Sequence, residues 1–333
     1  MKKYLYIFFV LTSFEFSYSQ ENSANNLFSL PYFMNPSFYS VNDIGKVGFL
    51  FQTETQSIGS QQERRLVFGS YNFESNSFTL GADINSNTYK STGFNETKVG
   101  LHYIYNLYLD RQWMFNPSIS LNFVSRQFQP GSVYLEDQIN IITGEIDLNS
   151  ADPLLPLVKN RQYLSIGAGF VLHNSYNHMI GFSIKNINSP NQSLVEGQID
   201  KIKFYTSIQH QVLFDLNKFK QSSLLSTYSY LRLFNSVSKY GTNFRFDTQQ
   251  RLDLNDFYFS LNQQFNNAEN FEFHRLGLGA GIYSGSIEYG FTYNFNFSNI
   301  NSVSFKTLEL FVSFDLSPFA GKYRGDRSPF RHF

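Results

Sequence analysis

Six histidines are the first candidates for chemistry: His102, His173, His178, His210, His274 and His332. No two of them flank a glutamate at the i, i+4 spacing that seats a zinc ion, and no His-Glu-x-x-His occurs. Cysteine is absent, which removes thiolate nucleophiles, thiolate metal sites and disulfides. The run Leu276-Gly-Leu-Gly-Ala-Gly-Ile282 has the look of a phosphate loop. Its glycines are spaced strictly by two, however, and no Lys-Ser/Thr or helix signal follows. Asp83, Glu96, Asp137 and His274 could form an acid–base group at the rim of a larger structure, but nothing in the sequence groups them. The expectation is a protein that is not an enzyme and has no catalytic, cofactor-binding or metal residues. With 26 basic and 26 acidic side chains, the chain has no positive excess to offer nucleic acid.

What the chain carries instead is alternation. Val99, Leu101, Tyr103, Tyr105, Leu107 and Leu109 alternate with Gly100, His102, Ile104, Asn106 and Tyr108. After Asp110-Arg111-Gln112, the residues Trp113, Phe115, Pro117, Ile119, Leu121 and Phe123 alternate with Met114, Asn116, Ser118, Ser120 and Asn122. A period of two over such lengths predicts a β-hairpin with one greasy face and one small or polar face. Each run is long enough to cross a bilayer at a tilt. Mean hydropathy is only −0.28, because every second residue of a transmembrane barrel faces water. Fourteen such runs are expected from Lys46–Thr55 to Phe305–Phe314, Ser222–Leu233 and Tyr240–Asp247 among them. The prediction is an all-β, antiparallel outer-membrane barrel of about fourteen strands. The glycines of Leu276–Ile282, like Gly167 and Gly169, would line its lumen and leave room for close packing.

The remaining segments frame the barrel. Lys2, Lys3, the apolar run Tyr4–Phe16 and the small residues Ser17 and Ser19 predict a signal peptide over residues 1–19. Residues 20–44 contain Pro31 and Pro36 and are expected to be a periplasmic or lumenal segment. Residues 45–316 form the barrel, and residues 317–333 a basic periplasmic tail. With both ends periplasmic, Glu74–Ser77, Asp110–Gln112 and Thr248–Asp256 fall among the periplasmic turns. The two longest connections, Gln129–Gln162 and Asn186–Lys203, fall outside. The first carries Glu136, Asp137, Glu145, Asp147 and Asp152 beside Ile139, Ile141, Ile142 and Pro153-Leu154-Leu155-Pro156. A long loop with its own apolar residues is expected to be a plug or a docking surface, with plain disorder the third reading. Glu136, Asp137, Pro153, Leu154, Leu155 and, in the second loop, Asn191 are the candidate partner-docking residues.

The segment Tyr32-Phe33-Met34-Asn35-Pro36-Ser37-Phe38-Tyr39 resembles the opening Tyr-x-x-Asn-Pro-Ala-Tyr box of the PorP/SprF family of the Bacteroidetes type IX secretion system. Phe78–Asp83 with Tyr103–Leu109, the strand exit Gly181–Asn191, and the closing strand Phe305–Leu316 are also similar to family motifs. On these matches Asn35, Pro36, Asp83 and Pro190 are the family-motif residues. The first strand departs from the pattern: Phe51-Gln-Thr-Glu-Thr55 stands where the family usually carries Arg-x-x-Trp. The resemblance implies an outer-membrane accessory of type IX secretion, embedded in the lipid bilayer, with no cofactor. It would bind a secreted adhesin-type protein through that protein's C-terminal domain and support its secretion or surface attachment, in gliding motility among other settings. Periplasmic components of the secretion or gliding machine would be further partners. The rival expectation is a channel for small apolar molecules, since fourteen strands also suit a transporter.

Overall fold

The computed structural model describes residues 26–41, 44–57, 60–129, 138–139, 143, 145–147, 158–174, 177–217, 228–267, 271–296 and 306–316. The strands are β1 (Gly45–Ser57), β2 (Ser60–Phe73), β3 (Phe78–Tyr89), β4 (Phe94–Tyr105), β5 (Leu107–Tyr108), β6 (Trp113–Phe128), β7 (Arg161–Asn174) and β8 (His178–Lys185). They continue as β9 (Tyr205–Asp215), β10 (Ser229–Tyr240), β11 (Asn243–Leu254), β12 (Phe257–Asn267), β13 (Phe271–Ser284), β14 (Ile287–Asn296) and β15 (Lys306–Asp315). Each pairs antiparallel with its neighbour in sequence. β4 and β5 both pair with β6, so they are two parts of one wall strand interrupted at Asn106. β1 closes on β15, from Lys46 opposite Asp315 to Thr55 opposite Lys306. The result is a closed barrel of fourteen antiparallel wall strands, and closure leaves no sheet edge.

The side chains are sorted inside out. Val47, Phe49, Val67, Ile84, Leu101, Tyr103, Ile119, Phe259 and Leu278 are exposed on the outer surface, with Leu101 at 62%. Gln52, Arg64, Asn85, Asn116, Ser120, Gln209, Asp253 and Glu309 are buried on the inner one. An apolar exterior around a polar interior suits lipid outside and a wet lumen within. At the end where the chain enters β1, Tyr71, Phe73, Phe78 and Tyr103 form a continuous aromatic contact, with centroids 4.9, 4.8 and 5.5 Å apart. This is part of a girdle of the kind that sits at the bilayer interface.

All fourteen expected runs have a strand in the structure, but several boundaries move, and the largest shifts are at the ends of β10 and β11. β10 runs through Phe234 to Tyr240 where a loop is expected, and the chain turns at Gly241, whose φ of +60° suits glycine. β11 runs on to Leu254 where Thr248–Asp256 is expected to be a turn. Both errors have one cause. The inner residues Ser236, Ser238, Gln249, Arg251 and Asp253 are strongly polar, and the outer residues between them are only partly apolar. Loop lengths also sort less cleanly than expected. The external end has a two-residue turn at 241–242 and only residues 58–59 between β1 and β2, while β9 and β10 at the other end are separated by the longer stretch 216–228. The two longest connections, 129–160 and 186–204, do leave from the external end.

The N-terminal segment lies inside the barrel. Two short 3-10 helices, η1 (Pro31–Phe33) and η2 (Pro36–Val41), each begin at a proline. There the missing N–H costs nothing and the fixed φ suits the first position. Leu27, Leu30, Tyr32, Met34, Phe38 and Tyr39 pack with the inward-facing Leu50, Phe68, Ile104, Val171, Met179, Leu213, Phe234, Tyr258 and Phe311. Most of these wall residues stand within a few positions of the end near the chain entry, so the stopper fills that half. The signal peptide expected over residues 1–19 and the tail 317–333 lie outside the described residues.

Candidate functional site: a stoppered lumen with an external cup

The stopper is held by polar contacts as well as by packing. Asn35, fully buried, donates from Nδ2 to the carbonyls of Phe170 (3.0 Å) and Phe182 (3.1 Å) and to Gln209 Oε1 (3.1 Å). Its Oδ1 accepts the Ser37 amide at 3.1 Å. One side chain thus ties the stopper to β7, β8 and β9. Bare wall glycines admit it. A Cβ on Gly169 would stand 2.7 Å from Asn35 Oδ1, and a Cβ on Gly81 would stand 2.6 Å from the Tyr39 ring. Ser37 and Ser118 hydroxyls share a hydrogen bond of 2.7 Å. On the other flank the amides of Leu27 and Phe28 both donate to Gln249 Oε1, at 2.8 and 3.0 Å.

Beneath the stopper lies a buried charge network. Arg232 Nε and Arg251 Nε flank Asp253 at 2.8 and 2.9 Å. Arg251 also reaches Glu288 (3.4 Å), which Lys46 pairs at 2.8 Å and the Ser29 hydroxyl of the stopper bonds at 2.7 Å. The Arg251 guanidinium lies 3.6 Å from the centroid of Tyr258. Charges this far from water persist only when each has partners, and the stopper supplies one of them.

On the external side of the stopper the inner wall is polar, and this half of the lumen is the cup. Its wall carries the pairs Arg126–Glu96 (3.1 Å), Arg245–Asp247 (2.7 Å) and Arg275–Glu54 (3.5 Å). On the floor Asp83 Oδ2 pairs with His102 Nε2, and Tyr39 of the stopper lies against the imidazole. Burial, with the Asp83 charge adding to it, pushes the Tyr39 phenol well above its usual range, so it stays neutral. Phe33 projects at the top of η1 with Arg64, Lys185 and Lys98 over its ring at 5.0, 5.6 and 6.0 Å.

The loop 186–204 covers part of the rim. β8 stops at Lys185, while β7 continues past it toward Arg161. Asn188 takes the place of the missing strand: its Oδ1 accepts the Ile166 amide (3.0 Å) and its Nδ2 donates to the Leu164 carbonyl (2.7 Å). Arg126 Nη1 donates to Gln192 Oε1 at 2.8 Å, and Val158 bridges Val195. Ile199 is 77% exposed on the loop's outer surface.

The sequence-derived candidates are thereby placed. Asn35 and Pro36 are stopper residues, buried in the lumen, and Asp83 faces the stopper on the floor. Pro190 and Asn191 belong to the rim loop. The Pro190 carbonyl accepts the Ile202 amide (3.0 Å). Asn191 Oδ1 accepts the amides of Ser193 (3.1 Å) and Asp200 (2.8 Å), so its side chain braces the loop. Glu136, Asp137, Pro153, Leu154 and Leu155 lie outside the described residues. The structure does not group Asp83, Glu96 and His274: Asp83 is taken by His102 and Glu96 by Arg126. The charge network and the cations around Phe33 are what sequence reading missed. Their signal was faint: single charged residues at inward positions of otherwise alternating strands.

A family model described as "Type IX secretion system membrane protein PorP/SprF" matches residues 16–314. The chain belongs to this family. PorP/SprF membership and the closed barrel together make it an outer-membrane protein, a membrane component of type IX secretion. No curated protein matches the chain. Among solved structures it is similar to the TodX monoaromatic hydrocarbon channel deltaS2 mutant, at 8% identity over 87% of this chain and 93% of that one (TM-score 0.49). It is also similar to the Pseudomonas putida toluene transporter TodX, at 9% identity over 89% and 94% (TM-score 0.45). A third is the Acinetobacter baumannii outer membrane protein Omp33, at 10% identity over 83% and 99% (TM-score 0.42).

Proposed function

We propose that this PorP/SprF barrel is a docking accessory that binds a secreted surface protein, an adhesin carrying a dedicated C-terminal domain, at its external mouth. It would hold that protein for secretion or for attachment to the cell surface, with gliding motility one setting. The observation that carries this reading is the division of the lumen: a stopper made of the chain's own residues fills one half, and a polar cup with a braced rim loop opens at the other. A binding cup needs a floor, whereas a conduit does not. The loops 129–160 and 186–204 follow strands that end at this mouth, β6 and β8, and are the docking elements in this reading. The short turns at the opposite end and the tail 317–333 are where a periplasmic component of the secretion or gliding machine would engage.

The rival reading, a channel for small apolar molecules, finds less support. Such ligands prefer predominantly apolar sites, and this cup is lined by ion pairs and amides. Two spaces beside the stopper have volumes of about 20 and 50 Å³, each room for a water or two. The test is affinity capture of the tagged barrel from detergent-solubilised outer membrane, with bound proteins identified by mass spectrometry. A large secreted protein held through its C-terminal domain is the expected result. A clean barrel that takes up small apolar ligands would overturn the docking reading.

A further inference from the structure

The outer surface of the wall carries one register row that does not suit lipid. His210 stands opposite Asn235, Asn235 opposite Thr248, and Thr248 opposite Gln263, so a polar row crosses the neighbouring strands β9 to β12. These side chains point outward, since their sequence neighbours Gln209, Phe234, Ser236, Asp247, Gln249 and Asn262 are buried inside. Each stands midway along its strand. The next outward residues on either side are Ile208 and Val212 for His210, Leu233 and Val237 for Asn235, and Leu261 and Phe265 for Gln263. The row therefore lies within the apolar band. It ends against Ile180 of β8 and Leu276 of β13. Elsewhere in the wall a register row reads Phe49, Val67, Ile84, Val99, Phe123 and Leu164, apolar throughout.

The polar row uses only part of its hydrogen-bonding capacity. Thr248 Oγ1 donates to Asn235 Oδ1 at 2.9 Å. Gln250 Nε2, from the next outward position of β11, donates to Thr248 Oγ1 at 3.0 Å. Among the described residues, Asn235 Nδ2, Gln250 Oε1 and the Gln263 amide group have no hydrogen-bond partner. His210 lies against the His178 ring, with centroids 6.4 Å apart, and makes no hydrogen bond. Water would answer such groups on a soluble protein, but the bilayer core supplies none, and a polar group left unanswered there is costly.

We propose that this row is an interface in the plane of the membrane, covered by the same row of a second copy of this chain. Amide and hydroxyl side chains both donate and accept, so the row complements itself. It contains no Asp, Glu, Lys or Arg, so it does not set like charges against its copy. A copy inserted in the same direction also holds its row at the same depth by necessity, whereas an unrelated chain would have to match that depth independently. Two chains so inserted are related by a half-turn about the membrane normal, which sets Asn235 and Thr248, at the middle of the row, against their counterparts. Polar side chains join membrane-spanning segments in this way. The surface lies outside the wall and does not rest on the docking reading.

The test exploits the absence of cysteine from the chain, so that one introduced thiol reports one position. Native outer membranes carrying single-cysteine full-length barrels are oxidised briefly with iodine and run on non-reducing gels. Asn235→Cys should give a linked species of twice the chain mass. Ile84→Cys, at a lipid-facing position of the apolar row, should give none. Adding Thr248→Leu and Gln263→Leu to Asn235→Cys should lower the linked fraction about tenfold, the scale of polar contacts between membrane-spanning segments. Outward leucines are ordinary wall residues, and heat-modifiable mobility of the reduced samples shows that each variant has folded. No linked dimer, equal linking through Ile84→Cys, or linking unmoved by the two leucines overturns the interface. A disulfide between Asn235→Cys and a different protein assigns the row to another membrane partner and overturns the second copy.

Discussion

The two halves of this lumen are built from the same alternating strands and do opposite things with their inward residues. In the half near the chain entry, Leu50, Phe68, Ile104, Val171 and Phe234 turn apolar side chains inward and close on the stopper. In the external half, Glu54, Glu96, Arg126, Arg245, Asp247 and Arg275 line the inner wall and satisfy one another in three pairs. Burial of apolar area holds the first half together. The second is held by largely buried ion pairs and amides, whose attraction is offset by the cost of taking the charges out of water. The lesson is that a barrel's inner face can be a folded core at one end and a binding surface at the other, with the division set by a few inward apolar residues.

The sharpest way to break this division is to strip the charge network under the stopper. Arg251→Ala leaves Asp253 and Glu288 buried with fewer partners and should cost about 3–5 kcal/mol. The folded form on semi-native gels should then convert at a markedly lower temperature. Next in size is Gly169→Val, whose side chain would collide with Asn35 and push the stopper off β7. The barrel should still assemble, and a cysteine placed at Leu30 should react with a water-soluble maleimide much faster than in the parent. Asn35→Ala removes three wall hydrogen bonds without a clash and should destabilise by about 1–3 kcal/mol. Hydrogen exchange over residues 30–40 should rise while the strands stay protected.

In the external half the effects should be smaller. Arg126→Ala frees Gln192 and should raise exchange in residues 191–202 with no change in barrel melting. Lys159→Ala removes an exposed pair with Glu196 and should shift stability by less than about 1 kcal/mol. If that substitution cost as much as Arg251→Ala, the contrast between the two halves would be wrong.

The wall was legible in the sequence because lipid on one side and water on the other enforce a period of two. The alternation from Trp113 to Phe123 falls wholly within β6 and marks its first residue, since its outer positions are all apolar. β10 and β11 were misplaced because Gln249, Arg251 and Asp253 serve the stopper and its charge network, a tertiary demand that leaves no periodic trace. The stopper itself was half legible. Pro31 and Pro36 ruled out a strand, and bare Gly169 implied a close neighbour, but nothing in the sequence joined Asn35 to Gly169 across the barrel. The cup floor was the least legible part. Lys98 and Lys185 look like ordinary strand residues until the barrel closes and sets them beside one ring.

The most direct test of the central claim, that the chain stoppers its own lumen, is single-channel conductance of the purified full-length barrel in a planar bilayer. The wild-type protein should insert without steady ion current, and Gly169→Val should show discrete conducting steps. A wild-type barrel with a stable open conductance would contradict the stopper and the floor of the cup built on it.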